Sequence, residues 1–311
     1  VKRRLLMLAE DILRRFEAEN IRGEELPKPR SIAKALAGML TAKSTLAIYR
    51  DFFRQSGRTK LLIMPAKNTL EWADVFPFLY FHAAFEGLRE SQSIRHVVID
   101  EMQDYTPVQY AVVNLLFPCD KTILGDFGQR INPNNPGTLA DLQQLFDEAE
   151  VVLLNRSYRS TFEIIRFAER ISKGMEMDVV QRHGEKPRML ACQNAAEELA
   201  CIRAQIKAFQ KSGYASLGII LKTDSAARAL HQSLAGEEDI HLISPQSTTF
   251  ENGITIASVR MAKGLEFDEV IIPKASAETD GTEEDRGLLY VACTRAMHRL
   301  VLTYTGEWTP L

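Results

Sequence analysis

His96-Val-Val-Ile-Asp-Glu-Met-Gln-Asp104 is a short β-branched run that stops on two adjacent carboxylates. Such a run, bounded by polar residues, reads as a buried strand of a parallel sheet. An aspartate at the end of a buried strand is placed to hold Mg²⁺, and a neighbouring glutamate to polarise an attacking water. Asp100-Glu101 has that arrangement. An Asp-Glu pair alone is equally compatible with capping the next helix.

Two further runs repeat the pattern. Lys121 to Gly125 ends in Asp126, and Val151 to Leu154 ends in Asn155. Helical signals lie between them: Thr106-Pro107-Val108-Gln109 is a capping box with proline at the first helical position. Strand–helix alternation predicts an α/β fold with its ligand at the carboxyl ends of the strands.

Upstream, residues 1–90 read as helical. Leu5, Leu8, Ile12 and Phe16 fall at helical spacing, as does the run from Ile32 to Phe53. A third helix is expected over Leu70 to Gly87, bent or started by Pro77. A short strand is expected at Leu61 to Met64, and Trp72, Tyr80 and Phe81 are expected in the core.

Downstream, Ser160 to Glu163 reads as a second capping box opening a helix to Ile171. A helix over 195–212 follows, then strands at Gly218 to Leu221, Gly253 to Val259, Glu269 to Ile272 and Arg299 to Tyr304. Helices are expected from Asp224 and over Glu283 to Met297. The chain is therefore read as two parallel-sheet units preceded by a helical segment.

Composition is that of an ordinary globular chain: 311 residues, 45% hydrophobic, 25% charged. A formal charge of -3 argues against a wholly basic nucleic-acid coat but permits a local groove. Cys119, Cys192, Cys201 and Cys293 form no Cys-x-x-Cys pair, so reduced thiols and a cytoplasmic location are expected, with no zinc site. The apolar run after Val1-Lys-Arg-Arg4 is cut off by Glu10 and Asp11, too early for a signal peptide. No stretch reaches transmembrane length, and no membrane partner is expected. The chain starts without methionine and is expected to be part of a longer protein.

Five segments together resemble the motifs of superfamily 1A helicases, the UvrD/PcrA/Rep group. Asp100-Glu-Met-Gln-Asp104 resembles their Walker B motif, and Gly125-Asp-Phe-Gly-Gln-Arg-Ile131 their third motif. Asn155-Arg-Ser-Tyr-Arg-Ser160, Ala262-Lys-Gly-Leu-Glu-Phe-Asp268 and Glu283 to Ala296 resemble the fourth, fifth and sixth. The resemblance implies RecA-like units, ATP and Mg²⁺. It implies Asp100 on the metal, Glu101 on the water and Gln129 sensing the γ-phosphate. It also implies Tyr158 stacking on the base, Arg159 at the γ-phosphate, Glu266 on the ribose and Arg295 as arginine finger. Asp104 and Lys263 join them as nucleotide-binding candidates. An arginine finger is worth roughly 10³–10⁵ in rate, about 4–7 kcal/mol of barrier. A solvated surface arginine changes stability by only about 0.5 kcal/mol.

Leu288 to His298 and Tyr304 to Pro310 are similar to the C-terminus of HelD-type ATPases, which implies RNA polymerase as a partner beside single-stranded or duplex DNA. Two positions depart from the family pattern. Arg260 stands where a histidine is usual three residues before the lysine, and Gly287 stands where a second arginine is common.

The resemblance predicts three regions. Residues 1–90 would be the remnant of an inserted 1B-type domain, 91–157 the end of a first RecA-like domain, and 158–311 a second. The phosphate loop Gly-x-x-x-x-Gly-Lys-Ser/Thr is absent from these 311 residues. Gly38 to Ser44 is one residue short, has Ala42 for the second glycine, and lies in a helical pattern. The isolated chain is therefore expected to bind ATP weakly without hydrolysing it. The rival reading is a non-catalytic RNA polymerase-binding factor whose ATP site tunes occupancy. A metal nuclease is disfavoured, since no Glu-x-Lys follows a strand there and Glu266 and Arg295 stay unexplained.

Overall fold

A computed structural model describes residues 2–19, 26–40, 42, 44–126, 129, 139–154, 156–171, 178–179, 181–237, 239–247 and 253–308. The chain forms two compact units. The first comprises Val1–Glu101, Tyr105–Leu124 and Gly137–Glu148; the second comprises Met102–Asp104, Gly125–Pro136 and Ala149–Leu311.

The first unit opens with α1 (Lys2–Ala18), α2 (Pro29–Met39), α3 (Thr45–Gln55) and α4 (Trp72–Glu86). Leu5 and Ala9 are the buried side chains of α1, one turn apart, whereas Leu8 faces solvent. Ser44 caps α3 by accepting the Ala47 N–H at 3.1 Å. Tyr49 on α3 packs edge-on against Phe53 and Phe78. Its hydroxyl donates to Asp74 at 3.1 Å. Burial and the Asp74 carboxylate push that phenol up to about 12.

Three expectations change here. The run from Ile32 to Phe53 is two helices, because Leu40 and Ser44 leave the helical region. Leu61 to Met64 alternates in exposure but pairs with no strand; the chain makes a 3₁₀ turn at Thr59–Leu61 instead. Trp72 is 74% exposed and Tyr80 is also exposed, because α4 packs through Phe78 and Phe81 rather than through its first residue. Pro77 does stand inside α4.

β1 (His96–Ile99) and β2 (Asp120–Ile123) then pair in parallel, His96 beside Asp120 and Ile99 beside Ile123. α5 (Pro107–Leu116) crosses between them, capped as expected by the reciprocal Thr106–Gln109 box. α6 (Leu139–Leu145) closes the unit.

The second unit is built on a parallel sheet. Its described elements start with β3 (Arg156–Ser157), α7 (Phe162–Ile171) and β4 (Asp178–Val179), where β3 and β4 pair as a separate two-stranded ladder. β5 (Arg188–Cys192), α8 (Ala195–Gln210), β6 (Ser216–Leu221), α9 (Asp224–Ser233) and β7 (Ile240–Leu242) follow. β8 (Gly253–Ser258), α10 (Val259–Ala262), β9 (Phe267–Ile272), α11 (Glu283–Cys293) and β10 (Ala296–Thr305) complete it. The six strands run in the order β5-β10-β9-β6-β8-β7, all parallel.

Strand residues alternate between two cores. Ile220, Val270, Ile272, Leu300 and Leu302 meet α7 and α11. Leu217, Ile219, Leu221, Ile271 and Val301 meet α8 and α9. Both faces are covered, which is why β6 is buried at every position. Fully burying one such isoleucine contributes about 1.5–3 kcal/mol. The α/β class, the parallel sheets and the leading helices thus match the reading from sequence.

Three details differ. Val151 to Leu154 is no strand: it has no ladder partner among the described residues, and Leu154 is 86% exposed. Asn155 lies outside the described residues, as does Lys43. Ser160 and Glu163 form no reciprocal cap, because the Ser160 hydroxyl donates to the Ala296 carbonyl at 2.6 Å. Glu163 instead accepts the Gly184 N–H at 2.8 Å and faces His183 at 2.9 Å. Finally, α11 stops at Cys293 rather than Met297. The Thr294 hydroxyl donates back to the Val291 carbonyl at 2.9 Å, and the chain enters β10 at Ala296.

Candidate functional site

In the first unit, Asp100 directly follows the carboxyl end of β1. Its Oδ1 accepts the Glu101 N–H at 2.8 Å. Glu101 has φ +54°, the left-handed region that costs a non-glycine residue about 1–2 kcal/mol. α5 takes its cap from Thr106 and Gln109, so that helix does not use the carboxylate pair.

In the second unit, a 3₁₀ turn over Met102–Asp104 buries Gln103, 2% exposed. Gln103 Oε1 accepts the Asp126 N–H at 3.0 Å. Only glycine fits at 125 beside this turn. A Cβ there would lie 2.5 Å from Met102 Cγ and 2.6 Å from its backbone nitrogen. Asp126 Oδ2 in turn accepts from Gln129 Nε2 at 3.0 Å. Phe127, Gly128, Arg130 and Ile131 of the same segment lie outside the described residues.

Gln129 Oε1 accepts from Arg295 Nη2. Arg295 is 1% exposed and is the largest fully buried side chain among the described residues. Further hydrogen bonds run to the Val291 carbonyl at 3.1 Å, Thr294 Oγ1 at 3.2 Å and the Leu265 carbonyl at 3.5 Å. Its own carbonyl accepts the Phe267 N–H at 3.0 Å, which joins the turn before β9 to the turn before β10. Gly264, at φ +80°, makes the first of those turns.

The remaining nominees pair on the same turn. Lys263 Nζ lies 2.7 Å from Asp104 Oδ2, with the lysine side chain 7% exposed. Arg159 Nε lies 2.6 Å from Glu266 Oε1, both side chains partly exposed. Tyr158 turns its ring to solvent, 67% exposed. The structure thus brings Asp104 to Lys263, Arg159 to Glu266 and Gln129 to Arg295 within the second unit; Asp100 and Glu101 belong to the first.

Two corrections follow. Glu266 and Arg295 precede β9 and β10, so these nominees stand at amino ends of strands, not carboxyl ends. They ride on the turns that follow α10 and α11. Gln103 and Asp126 were not nominated from sequence, yet they link the 3₁₀ turn to Arg295. The strand-end position of Asp126 was the available signal.

Titration follows burial. Burial, then the Asp126 carboxylate, pushes the Tyr290 phenol up to about 12. Burial likewise raises the Cys293 thiol. Burial raises Asp285 too, but hydrogen bonds from Lys222 and Thr282 outweigh it and hold that carboxyl below its usual range. Among the described residues no group of three or more His, Cys, Asp or Glu side chains could hold a metal ion. Among them, too, no helix is long and apolar enough to cross a membrane.

Residues 238–307, which contain Lys263, Glu266 and Arg295, match the UvrD-like helicase C-terminal domain family. The chain is 28% identical over 162 residues to the ATP-dependent DNA helicase srs2 of Schizosaccharomyces pombe, covering 46% of this chain and 18% of that protein. It is 24% identical over 229 residues to the ATP-dependent DNA helicase PcrA of Staphylococcus epidermidis, covering 67% of this chain and 30% of that protein. The crystal structure of the C-terminal domain of a possible DNA helicase from Lactobacillus plantarum is 33% identical, with a TM-score of 0.43, covering 50% of this chain and 91% of that one. The chain therefore spans only part, 18 and 30%, of the two curated relatives just named. Over residues 238–307, this protein carries a UvrD-like helicase C-terminal domain.

Proposed function

We propose that the chain is the C-terminal part of an ATP-dependent superfamily 1 DNA helicase or translocase of the HelD type, working with RNA polymerase. The observation that carries the nucleotide reading is the pairing of Lys263, Arg159 and Arg295 with Asp104, Glu266 and Gln129 around one turn. Cations held by exchangeable partners can transfer to phosphate oxygens. The HelD assignment rests on the sequence from Leu288 to His298 and from Tyr304 to Pro310, and the polymerase partner rests on that assignment alone.

The residues fit ATP and Mg²⁺ in kind. Tyr158 offers an exposed ring for a base, and Glu266 a carboxylate for ribose hydroxyls. Asp100 offers an exposed carboxylate at a strand end for the metal. Bound Mg²⁺ and ATP would supply a phosphoryl group whose developing charge needs cationic neighbours. Glu101 would take up the proton of the attacking water, Gln129 would orient beside the γ-phosphate, and Arg159 and Arg295 would neutralise charge. Residues 1–90, 91–157 and 158–311 would be the 1B-type remnant and the two RecA-like parts.

Titration of this chain with a fluorescent ATP analogue in Mg²⁺ tests the reading. Weak saturable binding is expected, reduced about tenfold by Arg159→Ala, the size of one charge-assisted hydrogen bond. Absence of binding, or binding indifferent to Arg159, refutes it. ATP turnover by this chain that Glu101→Gln abolishes would overturn the expectation that the chain alone does not hydrolyse.

A further inference from the structure

Arg159 is held from behind as well as in front. The Arg182 Nη1 donates to the Arg159 carbonyl at 2.9 Å. The Arg182 Nη2 lies 3.0 Å from both ring nitrogens of His298. Arg182 also accepts the Phe162 N–H at its carbonyl, 2.9 Å away. Next to it the Thr161 N–H donates to the Met297 carbonyl at 3.2 Å, and the Ser160 hydroxyl to the Ala296 carbonyl. The segment carrying Arg159 is therefore stitched to the start of β10, the strand that follows Arg295.

His298 sits in a defined setting. Its ring stacks on Tyr214, centroids 4.9 Å apart and planes at 22°. Asp268 Oδ1 lies 3.8 Å from His298 Nε2. Asp268 Oδ2 is anchored by the Ala215 N–H, the Ser216 N–H and the Ser216 hydroxyl. Arg299 lies over the Tyr214 ring, 5.3 Å from its centroid, and pairs with Glu185 and Glu269. Asp268 stands two residues after Glu266. One imidazole thus touches the strands that follow Glu266 and Arg295, and reaches Arg159 through Arg182.

A guanidinium only donates. Equidistant from both ring nitrogens, the Arg182 guanidinium sits against the imidazole between them, a contact that only the neutral ring, with one acceptor nitrogen, favours. Protonation leaves the ring with no acceptor and sets two cations face to face, with Asp268 too far for a direct hydrogen bond.

We propose that Arg182 and His298 form a positioning bridge that holds the Arg159 backbone in place and lets it go when the imidazole is protonated. This rests on the nucleotide reading of Arg159. Burial, then the Arg182 charge, lowers the His298 pKa below its usual value against the opposing pull of Asp268. The bridge is thus intact at neutral pH and is lost as pH falls through that lowered value.

The test uses this chain with two readouts. The first is NMR titration of the His298 ring, identified by its loss in His298→Gln. Arg182→Ala is expected to move the titration upward, because a neighbouring cation is removed. The second is affinity for a fluorescent ATP analogue at about pH 8 and about pH 5, on either side of the histidine range. Wild-type affinity falls roughly three- to tenfold on acidification, the range of one ordinary hydrogen bond. Arg182→Ala binds at the higher pH as weakly as wild type does at the lower, and Arg182→Lys recovers part of the difference. An unmoved His298 titration overturns the bridge. Affinity unchanged in Arg182→Ala but reduced in Arg159→Ala overturns the positioning and leaves the nucleotide reading standing. No binding by wild type, or none lost in Arg159→Ala, removes both.

Discussion

Replacing Arg295 by alanine removes the largest fully buried side chain among the described residues. The variant deprives Gln129 Oε1, the Leu265 and Val291 carbonyls and Thr294 Oγ1 of one shared donor group. A hydrogen bond to a charged group contributes about 1.5–3 kcal/mol, and the four here act as a unit rather than adding. Val291 already accepts from the Thr294 hydroxyl, so its carbonyl is not orphaned. The expected loss is about 2–4 kcal/mol, in line with removing one partner from a buried polar group. Arg295→Lys should recover less than half, since one ammonium cannot span acceptors reached by a planar fork. The assay follows from the two tryptophans, Trp72 in the first unit and Trp308 in the second. In a Trp72→Phe background, Trp308 fluorescence reports urea unfolding of the second unit. With a slope of about 1–3 kcal/mol per molar urea, the midpoint should fall by about 1 M or more. The Trp72 signal, read in a Trp308→Phe background, should not move. A change below about 0.5 kcal/mol, the size of an ordinary surface substitution, refutes the reasoning. Arg295 would then be a solvated arginine whose only cost falls on activity.

Two further outcomes are expected. Gly125→Ala places a methyl group 2.5 Å from Met102 Cγ and should destabilise the second unit by about 1–3 kcal/mol. Hydrogen exchange at the Asp126 amide, which donates to Gln103, should accelerate in parallel; an unchanged rate would show that the turn is not packed against Gly125. Asp285 should contribute stability that is full above pH 3.8, its ordinary value, and is lost as pH falls through the lowered folded value. Urea midpoints of wild type and Asp285→Asn should therefore converge on acidification, and a constant gap would refute the Lys222 pairing.

Sequence legibility tracked the range of the forces involved. The Thr106–Gln109 box closes within four residues, and it formed as read. Strands β6, β8 and β9 are buried along almost their whole length because both sheet faces are covered, and the apolar runs Ile219 to Leu221 and Val270 to Ile272 write that burial into composition. Val151 to Leu154 is as apolar but has no ladder partner among the described residues, and a strand exists only with a ladder beside it. Ser160 and Glu163 carried a local capping signal that lost to distant partners, Ala296 and Gly184.

The chain of residue types from Asp100 to Arg295, and its order, was a property of the sequence by itself. So was the α/β alternation, since hydrophobic period and turn chemistry are local. Only the tertiary structure decided which nominee meets which. Lys263 takes Asp104 and Arg159 takes Glu266, while Arg295 is sunk to 1% exposure against Gln129, 166 residues away. It also decided that Asp126, Gln103, Arg182 and His298 stand behind them. Those contacts depend on sheet order and on turns that converge from separate strands, and no spacing along a chain encodes where a parallel crossover returns.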